Sequence, residues 1–280
     1  MFKTVGLVAR YDKKAALKLA EELAEHLAKK GLKVYLEDTL AAKVTAPQGE
    51  MISLAKMQTD FIITIGGDGT ILRTCIAVPK PEPPLLTVNM GDRGFLTEVE
   101  PKDACDAVDR ILKGEYKIEK CSKLSVAAGK EHFPDALNDV VISAGEPSSI
   151  LKAQIFKDEK QIRKVQADGL IVASPTGSTG YSLSAGGPVL DPAMDSFVIT
   201  SICSLTAFPS LVFPADCTIT FKVFSPKEVL VSIDGKYRKV VADDDPMIKV
   251  TVSKYVTSFI RFKCDFYDRL RSRLLFKGTE

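Results

Sequence analysis

The residues with the clearest chemical use form a short glycine loop around one carboxylate. Gly66-Gly67-Asp68-Gly69-Thr70 follows the apolar run 61–65, which predicts a buried strand, and precedes a predicted helix that starts at Ile71. Ligands of parallel sheets bind at the carboxyl ends of strands, and glycine N–H groups at a helix start suit phosphate. Asp68 would repel phosphate, so its presence indicates a divalent ion or a hydroxyl proton to accept. A plain turn in which Asp68 caps the helix is the alternative interpretation.

Two further polar segments follow predicted strands. The loop 89–96 carries glycines and Phe95, a ring that suits either a nucleobase or the core. Asn138 and Asp139 precede the predicted strand 140–143, and a neighbouring amide and carboxylate suit the hydroxyls of a ribose. The Asn-Asp pair is also a common turn, and on its own the turn is the favoured interpretation.

The segment 167–188 is the longest run of hydroxyl and glycine residues in the chain. It offers many hydrogen-bond donors, little bulk and one aromatic ring, which suits a base, an amide and a ribose. A hydrolase with Ser178 as its nucleophile is disfavoured, because G-x-S-x-G is not met. A histidine base would have to be His26 or His132, the only two histidines.

The elements that position these residues fall into two classes. In the amino-terminal part, strand and helix signals alternate, which predicts a parallel sheet covered by helices. The predicted strands are 5–8, 34–36, 61–65 and 85–88, and the predicted helices are 13–30, 50–58, 71–77 and 102–113.

From about residue 115 the pattern changes to short strands separated by Gly, Pro and Asp turns, which predicts an all-β, sandwich-like domain. These runs are 123–127, 140–143, 151–156, 170–173, 218–224, 229–233 and 248–252. Asp234-Gly235 predicts a type I′ hairpin turn. We therefore expect an α/β domain at 1–114, a β-rich domain at 115–262 and a segment at 263–280 that docks back on the first domain.

Composition restricts the partners. The 280 residues carry 38 Lys and Arg against 36 Asp and Glu, a balance that disfavours a nucleic-acid partner. No apolar run approaches the roughly 20 residues that cross a bilayer, so no membrane association is expected. The six cysteines show no C-x-x-C pair and no zinc-ligand spacing, which predicts reduced thiols in a cytoplasmic protein and no protein-ligated metal cluster.

Taken together, these motifs resemble the NAD kinase family, its prokaryotic members in particular. The resemblance rests on the glycine loop at 66–70, the Asn-x-Gly-x-x-Gly-Phe-Leu loop at 89–96, the pair at 138–139, the block at 168–188 and the late Asp234-Gly235. The tail at 266–271, Phe-Tyr-Asp-Arg-Leu-Arg, also resembles archaeal and some bacterial members. Five motifs in the same order cover most of the chain.

The resemblance implies transfer of a phosphoryl group from ATP, or from polyphosphate, to the 2′-hydroxyl of the adenosine ribose of NAD, with Mg²⁺ and in a cleft between the two domains. Asp68 would be the base, or would orient the hydroxyl through Mg²⁺. The residues implied to bind phosphates, adenine, ribose or nicotinamide are Gly67, Gly69, Thr70, Arg73, Phe95, Asn138, Asp139, Asp168, Thr176, Thr179, Tyr181, Ser184 and Asp234. A homodimer or homotetramer is implied, with Asp168 reaching across the subunit boundary.

Two departures and two rivals accompany the resemblance. Asp139 stands where many members have Glu, and Gly180 where many have Ala. A lipid or sugar kinase sharing the glycine loop is the enzymatic rival, but a lipid acceptor would call for an apolar groove. A nucleotide-binding regulator without catalysis is the other, although a pure binder gains nothing from Asp68 beside phosphates.

Overall fold

The alternating strands and helices of the amino-terminal part form a parallel sheet in the computed structural model, which describes residues 2–44, 48–91, 94–146, 149–242, 246–262 and 266–272. The chain divides into two compact units, 1–120 with 257–280 and 121–256. The α/β class of the first part and the antiparallel β class of the second are confirmed. The domain boundaries expected at 114 and 262 stay a prediction.

The first unit alternates strands with helices along the chain. Its strands are β1 (Thr4–Ala9), β2 (Lys33–Glu37), β3 (Glu50–Ile52), β4 (Phe61–Gly66) and β5 (Leu85–Asn89). Its helices are α1 (Lys14–Lys29), α2 (Asp38–Ala41), α3 (Asp68–Ala77) and α4 (Ala104–Leu112), with 3-10 turns at Leu54–Lys56 and Pro101–Asp103.

The parallel sheet of this unit has the order β5-β4-β1-β2-β3, with every neighbouring pair parallel. All six residues of β4 are buried, as expected for a central strand covered on both faces. Helix α1 buries its apolar stripe, including Leu19, Leu23 and Leu27, in the same core. Parallel strands end at one edge, so the segments that follow β4 and β5 lie side by side, and Met90 N donates to Gly66 O at 2.9 Å.

Two predicted elements differ from the structure. The helix expected at 50–58 is wrong: β3 pairs there with β2, and a 3-10 turn follows. A helix of nine residues is marginal on its own, so pairing with a sheet edge outweighs local preference. Helix α3 begins at Asp68, three residues before the predicted start, so three of the five residues of the glycine loop are helical.

The second unit consists mainly of antiparallel strands. The remaining strands are β6 (Lys117–Ala128), β7 (Glu131–His132), β8 (Asp139–Ala144), β9 (Leu151–Lys157), β10 (Lys160–Ala167), β11 (Gly169–Ala173), β12 (Ser196–Ile202), β13 (Leu211–Pro214), β14 (Ile219–Ser225), β15 (Glu228–Ile233), β16 (Tyr237–Ala242) and β17 (Met247–Arg261). One sheet has the order β13-β12-β11-β8-β15-β16, and β10-β9-β14-β17 form another antiparallel run.

Short helical elements complete the chain. A 3-10 turn at Gly177–Thr179 and helix α5 (Tyr181–Ser184) follow β11, where the sequence suggests only a loop. The chain enters the second unit within β6 and returns to the first within β17. Helix α6 (Phe266–Leu270) then belongs to the first unit, while 263–265 and 273–280 of the predicted docking segment lie outside the described residues.

None of the helices within the described ranges combines the length and the apolar character needed to cross a membrane.

Candidate functional site

The glycine loop turns directly from β4 into α3. Gly67 is the extended residue before the helix, and a side chain at this position would meet no atom within 4 Å, so its main chain borders open space. Because the first N–H groups of a helix lack intrahelical acceptors, this end suits an anion. Thr70 is nearly buried, and its side chain lies so close to Gly66 that a Cβ there would stand 2.3 Å from the Thr70 hydroxyl. Gly66 is therefore required by packing.

Asp68 faces the neighbouring loop rather than capping its own helix. Its Oδ2 accepts the N–H of Phe95 at 2.9 Å, and its Oδ1 accepts the N–H of Leu96 at 3.0 Å. The carbonyl of Leu96 is held in turn by the hydroxyl of Thr87 at 3.0 Å. The carboxylate therefore joins the segments that follow β4 and β5.

Arg73 lies one helical turn beyond Thr70 and pairs with Glu37 at the end of β2. Both terminal nitrogens of the guanidinium donate to the two carboxylate oxygens, one of them at 2.9 Å. The hydrogen bonds to Glu37 raise the pKa of Arg73 further above its usual value. Glu37 is almost fully buried, whereas a third of the Arg73 side chain is exposed. The buried carboxylate therefore anchors a guanidinium that is still partly open to solvent.

In the second unit, Asp234 holds the loop that carries Asn138 and Asp139. Its carboxylate accepts the N–H groups of Leu137, Asn138 and Asp139 at 2.8 to 2.9 Å. Asp234 is 6% exposed, so it supports this loop from inside the protein. The Asn138 side chain has a buried Oδ1 with no hydrogen-bond partner among the described residues.

Two carboxyl groups and one amine are buried together behind this loop. Burial raises the pKa of Asp139 to about 7, and the charge of Asp234 adds to the rise. Burial raises the pKa of Asp234 as well, while its three N–H donors and the charge of Lys123, a fully buried residue, oppose that rise. The three N–H donors favour the ionised form of Asp234, whereas burial and the charge of Asp234 favour the protonated form of Asp139.

The hydroxyl-rich segment folds closely against the same loop. Ser174 N donates to Asn138 O at 2.9 Å, and its hydroxyl donates to Leu137 O at 2.5 Å. A Cβ at Gly177 would stand 1.9 Å from Asn138 O, so only glycine fits there. The hydroxyl of Thr179 donates to the carbonyl of Thr176 at 2.9 Å. Close main-chain contacts therefore hold this segment against the loop at 137–139.

Ser178 does not have the surroundings of a nucleophile. It is fully buried, donates to Pro175 O at 2.6 Å and accepts the N–H of Leu190 at 2.9 Å. By contrast, Asp168, Tyr181 and Ser184 are exposed. Their side chains are open to a ligand, and their predicted roles stay predictions.

The structure thus gathers the predicted site residues into two groups. In the first unit it brings together Gly67, Asp68, Gly69, Thr70 and Phe95, with Arg73 further along the same helix. In the second unit it brings together Asn138, Asp139, Asp234, Thr176 and Thr179. Across the described parts of the chain, no three His, Cys, Asp or Glu side chains cluster as a metal site.

The sequence reasoning missed several residues that hold the site. Two of them, Glu37 and Lys123, lie outside the recognised motifs, and Gly177 lies within the block at 168–188. Each acts through a tertiary contact. The only available signals were an acidic residue at a strand end and a lysine inside a strand pattern.

Both parts of the chain match models of known protein families. Residues 5–116 match the model of the ATP-NAD kinase N-terminal domain, and residues 137–262 match that of the ATP-NAD kinase C-terminal domain. The NAD kinase of Methanothermobacter thermautotrophicus is 37% identical over 279 residues, which cover 99% of this chain and 98% of that protein. The NAD kinase of Pyrococcus furiosus is 39% identical over 275 residues, which cover 96% of this chain and 98% of that protein.

Solved structures share the fold. Yeast NADH kinase complexed with NADH has a TM-score of 0.90 and 23% identity, covering 100% of this chain and 90% of that one. An NAD kinase from Archaeoglobus fulgidus in complex with ATP has a TM-score of 0.77 and 24% identity, and the match covers 96% of this chain and 99% of that one. At these identities the likeness establishes the fold.

Proposed function

Because this chain belongs to the NAD kinase family, it phosphorylates NAD, and we propose that Asp68 acts directly on the 2′-hydroxyl that receives the phosphoryl group. The observation that carries the proposal is the place of Asp68: it starts a helix at the carboxyl end of β4, and both oxygens are oriented by main-chain N–H groups. An aspartate of ordinary pKa near 3.9 is a weak base for an alcohol. Its contribution is therefore mainly to align the hydroxyl and to accept its proton late in the transfer.

We propose that the first group of residues holds the phosphates. The N–H groups at the start of α3 face the transferred group's negative charge, which favours anions there by roughly 0.3–1 kcal/mol. Gly67 and Gly69 allow close approach, and Thr70 offers a hydroxyl. Arg73 adds a positive charge whose direction Glu37 sets. Positioning and charge neutralisation of this kind are what phosphoryl transfer requires.

We propose that the second group binds the NAD nucleoside. The unpartnered Oδ1 of Asn138 supports this role, because a buried acceptor is satisfied when a ligand N–H binds it. Protonated Asp139 can donate a hydrogen bond to a ribose oxygen or ring nitrogen. Phe95 would lie against the adenine, and Thr176, Thr179, Tyr181 and Ser184 would line the rest. Asp168 would bind the nicotinamide amide, and Asp234 would act through Asn138 and Asp139.

ATP or polyphosphate is the proposed donor, with Mg²⁺. In kinases this ion is bound by one or two carboxylates and by the substrate phosphates, so a dedicated cluster is not required. Asp68, the carboxylate at the start of α3, fits such a minimal ligand set. When bound, the ion would neutralise charge on the donor phosphates.

A homodimer or homotetramer in the cytoplasm is also proposed. The five described cysteines are free thiols, as in a reducing compartment.

A single assay separates the proposal from its rivals. Purified protein is incubated with NAD and Mg²⁺, with ATP and polyphosphate in parallel, and NADP is quantified. We expect NADP with at least one donor. A lipid or sugar kinase would instead phosphorylate its own acceptor, and a regulator would bind nucleotide without forming NADP.

The role of Asp68 is tested by Asp68→Asn. We expect kcat for NADP formation to fall by about 10²–10⁴-fold, because the amide neither accepts the proton nor keeps both N–H contacts. Asp60→Asn is the matched control: Asp60 precedes β4, and its carboxylate accepts the N–H groups of Lys3 and Thr4 at 2.6 and 2.8 Å. This control loses the same kind of contact and should keep its kcat. A near-normal rate in Asp68→Asn would show that the base role is wrong.

A further inference from the structure

The carboxyl-terminal helix α6 packs on the segment that carries Phe95 and Leu96, whose N–H groups donate to the Asp68 carboxylate. The ring of Phe266 meets the ring of Phe95 edge-on, with centroids 5.7 Å apart and an angle of 81°. The guanidinium carbon of Arg269 lies 5.9 Å from the centroid of the Phe95 ring. Phe266, Arg269 and Leu270 are each less than a tenth exposed, so this face of the helix is buried.

Ion pairs of two buried arginines connect the same helix to Leu96, the residue that follows Phe95. Arg269 donates to one oxygen of Glu119 at 2.8 Å, and Arg261 donates to the other at 2.6 Å. Arg261 also donates to the carbonyl of Leu96 at 2.9 Å and pairs with Glu98 at 3.3 Å. Burial would raise the pKa of Glu119, but the two arginines outweigh it and hold that pKa below its usual value.

These contacts link Arg269 to Asp68 by two separate routes. From Arg269 one route runs through the Phe95 ring to the Phe95 N–H, which donates to Asp68. The other runs through Glu119 and Arg261 to Leu96, whose N–H donates to the second oxygen of Asp68. The carboxyl-terminal helix is therefore linked to both residues whose N–H groups orient Asp68, directly to Phe95 and through Glu119 and Arg261 to Leu96.

We propose that Arg269 and Phe266 are positioning residues for phosphoryl transfer, because they hold Phe95 and Leu96 in the geometry that aims Asp68. The proposal rests on the proposed role of Asp68 and extends it to a segment for which the sequence predicted only docking on the first domain. Arg269 suits the task because its planar guanidinium can pair with a carboxylate and lie over a ring at once, which lysine cannot do equally well.

A purely structural role makes a different prediction. Loss of packing alone would reduce the folded fraction, and hence the apparent kcat, while leaving the KM of the folded molecules unchanged. A positioning role changes the folded enzyme: kcat falls through Asp68, and the KM for NAD rises through Phe95. The KM for the phosphoryl donor should stay within twofold in either case.

The experiment compares Arg269→Ala, Arg269→Lys and Phe266→Ala with Arg271→Ala as the matched control. Arg271 is two residues away and highly exposed, and it pairs at the surface with Asp268. Below the melting transition of every variant, we expect Arg269→Ala to lower kcat at least tenfold and to raise the KM for NAD at least fivefold. Phe266→Ala should change both constants in the same directions, and Arg269→Lys should be intermediate. Arg271→Ala should match the parent protein.

Amide hydrogen exchange supplies a readout that does not depend on activity. In Arg269→Ala the N–H groups of Phe95 and Leu96 should exchange at least tenfold faster, while the core amides of α1 keep their protection. Unchanged kinetics and unchanged exchange at these two amides would overturn the proposal. If the parent protein makes no NADP, the proposed function fails, and the exchange data alone still decide whether the helix fixes the loop.

Discussion

At the scale of single residues, the site depends on carboxylates that hold main-chain N–H groups. Asp68 orients two amides of one loop, and Asp234 orients three of another. Carboxylate oxygens accept more than one hydrogen bond each, so Asp68 can orient the loop and still accept from a substrate hydroxyl. Asp234 is buried, so its contribution is the shape of the loop at 137–139.

Among the glycines whose surroundings the structure describes, Gly177 leaves the least room for a methyl group. In Gly177→Ala the added Cβ would stand 1.9 Å from Asn138 O, so Asn138 must move. We expect the KM for NAD to rise at least tenfold and the melting temperature to fall. In the control Gly180→Ala, the nearest atom is Gly177 O at 3.3 Å, which needs only a small shift. Steady-state kinetics of both variants check this, and equal KM values would contradict it.

At the scale of elements, the hairpin between β15 and β16 presents Asp234. Asp234 and Gly235 have φ values of 50° and 63°, and Lys236 N donates to Ile233 O at 2.9 Å, as in the predicted type I′ turn. The turn places the Asp234 carboxylate at the start of the neighbouring strand β8, where it accepts the N–H groups of Leu137, Asn138 and Asp139. The hairpin is therefore part of the site as well as of the sheet.

Gly235→Ala tests this element. A left-handed backbone costs a residue with a Cβ about 1–2 kcal/mol, so the free energy of unfolding should fall by that amount. The matched control is Gly129→Ala, at a left-handed turn between β6 and β7 where a Cβ also meets no atom within 4 Å. Both variants should lose similar stability in urea unfolding, but only Gly235→Ala should raise the KM for NAD. A rise in both would assign the effect to stability alone.

At the scale of the whole molecule, the charges nearly cancel, so individual buried groups dominate the pH dependence of stability. The native protein holds the Asp139 carboxyl with a pKa of about 7, beside Asp234 and Lys123. The unfolded chain releases that proton near its ordinary pKa of 3.8. This contribution to stability is complete below that lower pKa and is lost as the pH rises through about 7.

Asp139→Asn should remove this pH dependence, because asparagine resembles the protonated acid. We expect the variant to become more stable than the parent protein as the pH rises above about 4, with the gap widening by roughly 2–3 kcal/mol between about pH 5 and about pH 8. Titrating groups other than Asp234, whose charge acts on Asp139, cancel in the comparison. Urea unfolding at several pH values measures the difference, and a gap that does not vary with pH would contradict the assignment.

The sequence alone determined the α/β and β classes, the place of the glycine loop after β4 and the family, because local periodicity and glycine-rich turns are written in neighbouring residues. The tertiary structure decided that 50–52 is a strand and that α3 starts at Asp68. It also decided which charged residues pair. Arg73 pairs with Glu37, 36 residues away in the sequence, and Arg269 pairs with Glu119, 150 residues away. Such partners share no local pattern, since packing alone brings them together and excludes the water that would otherwise weaken their attraction.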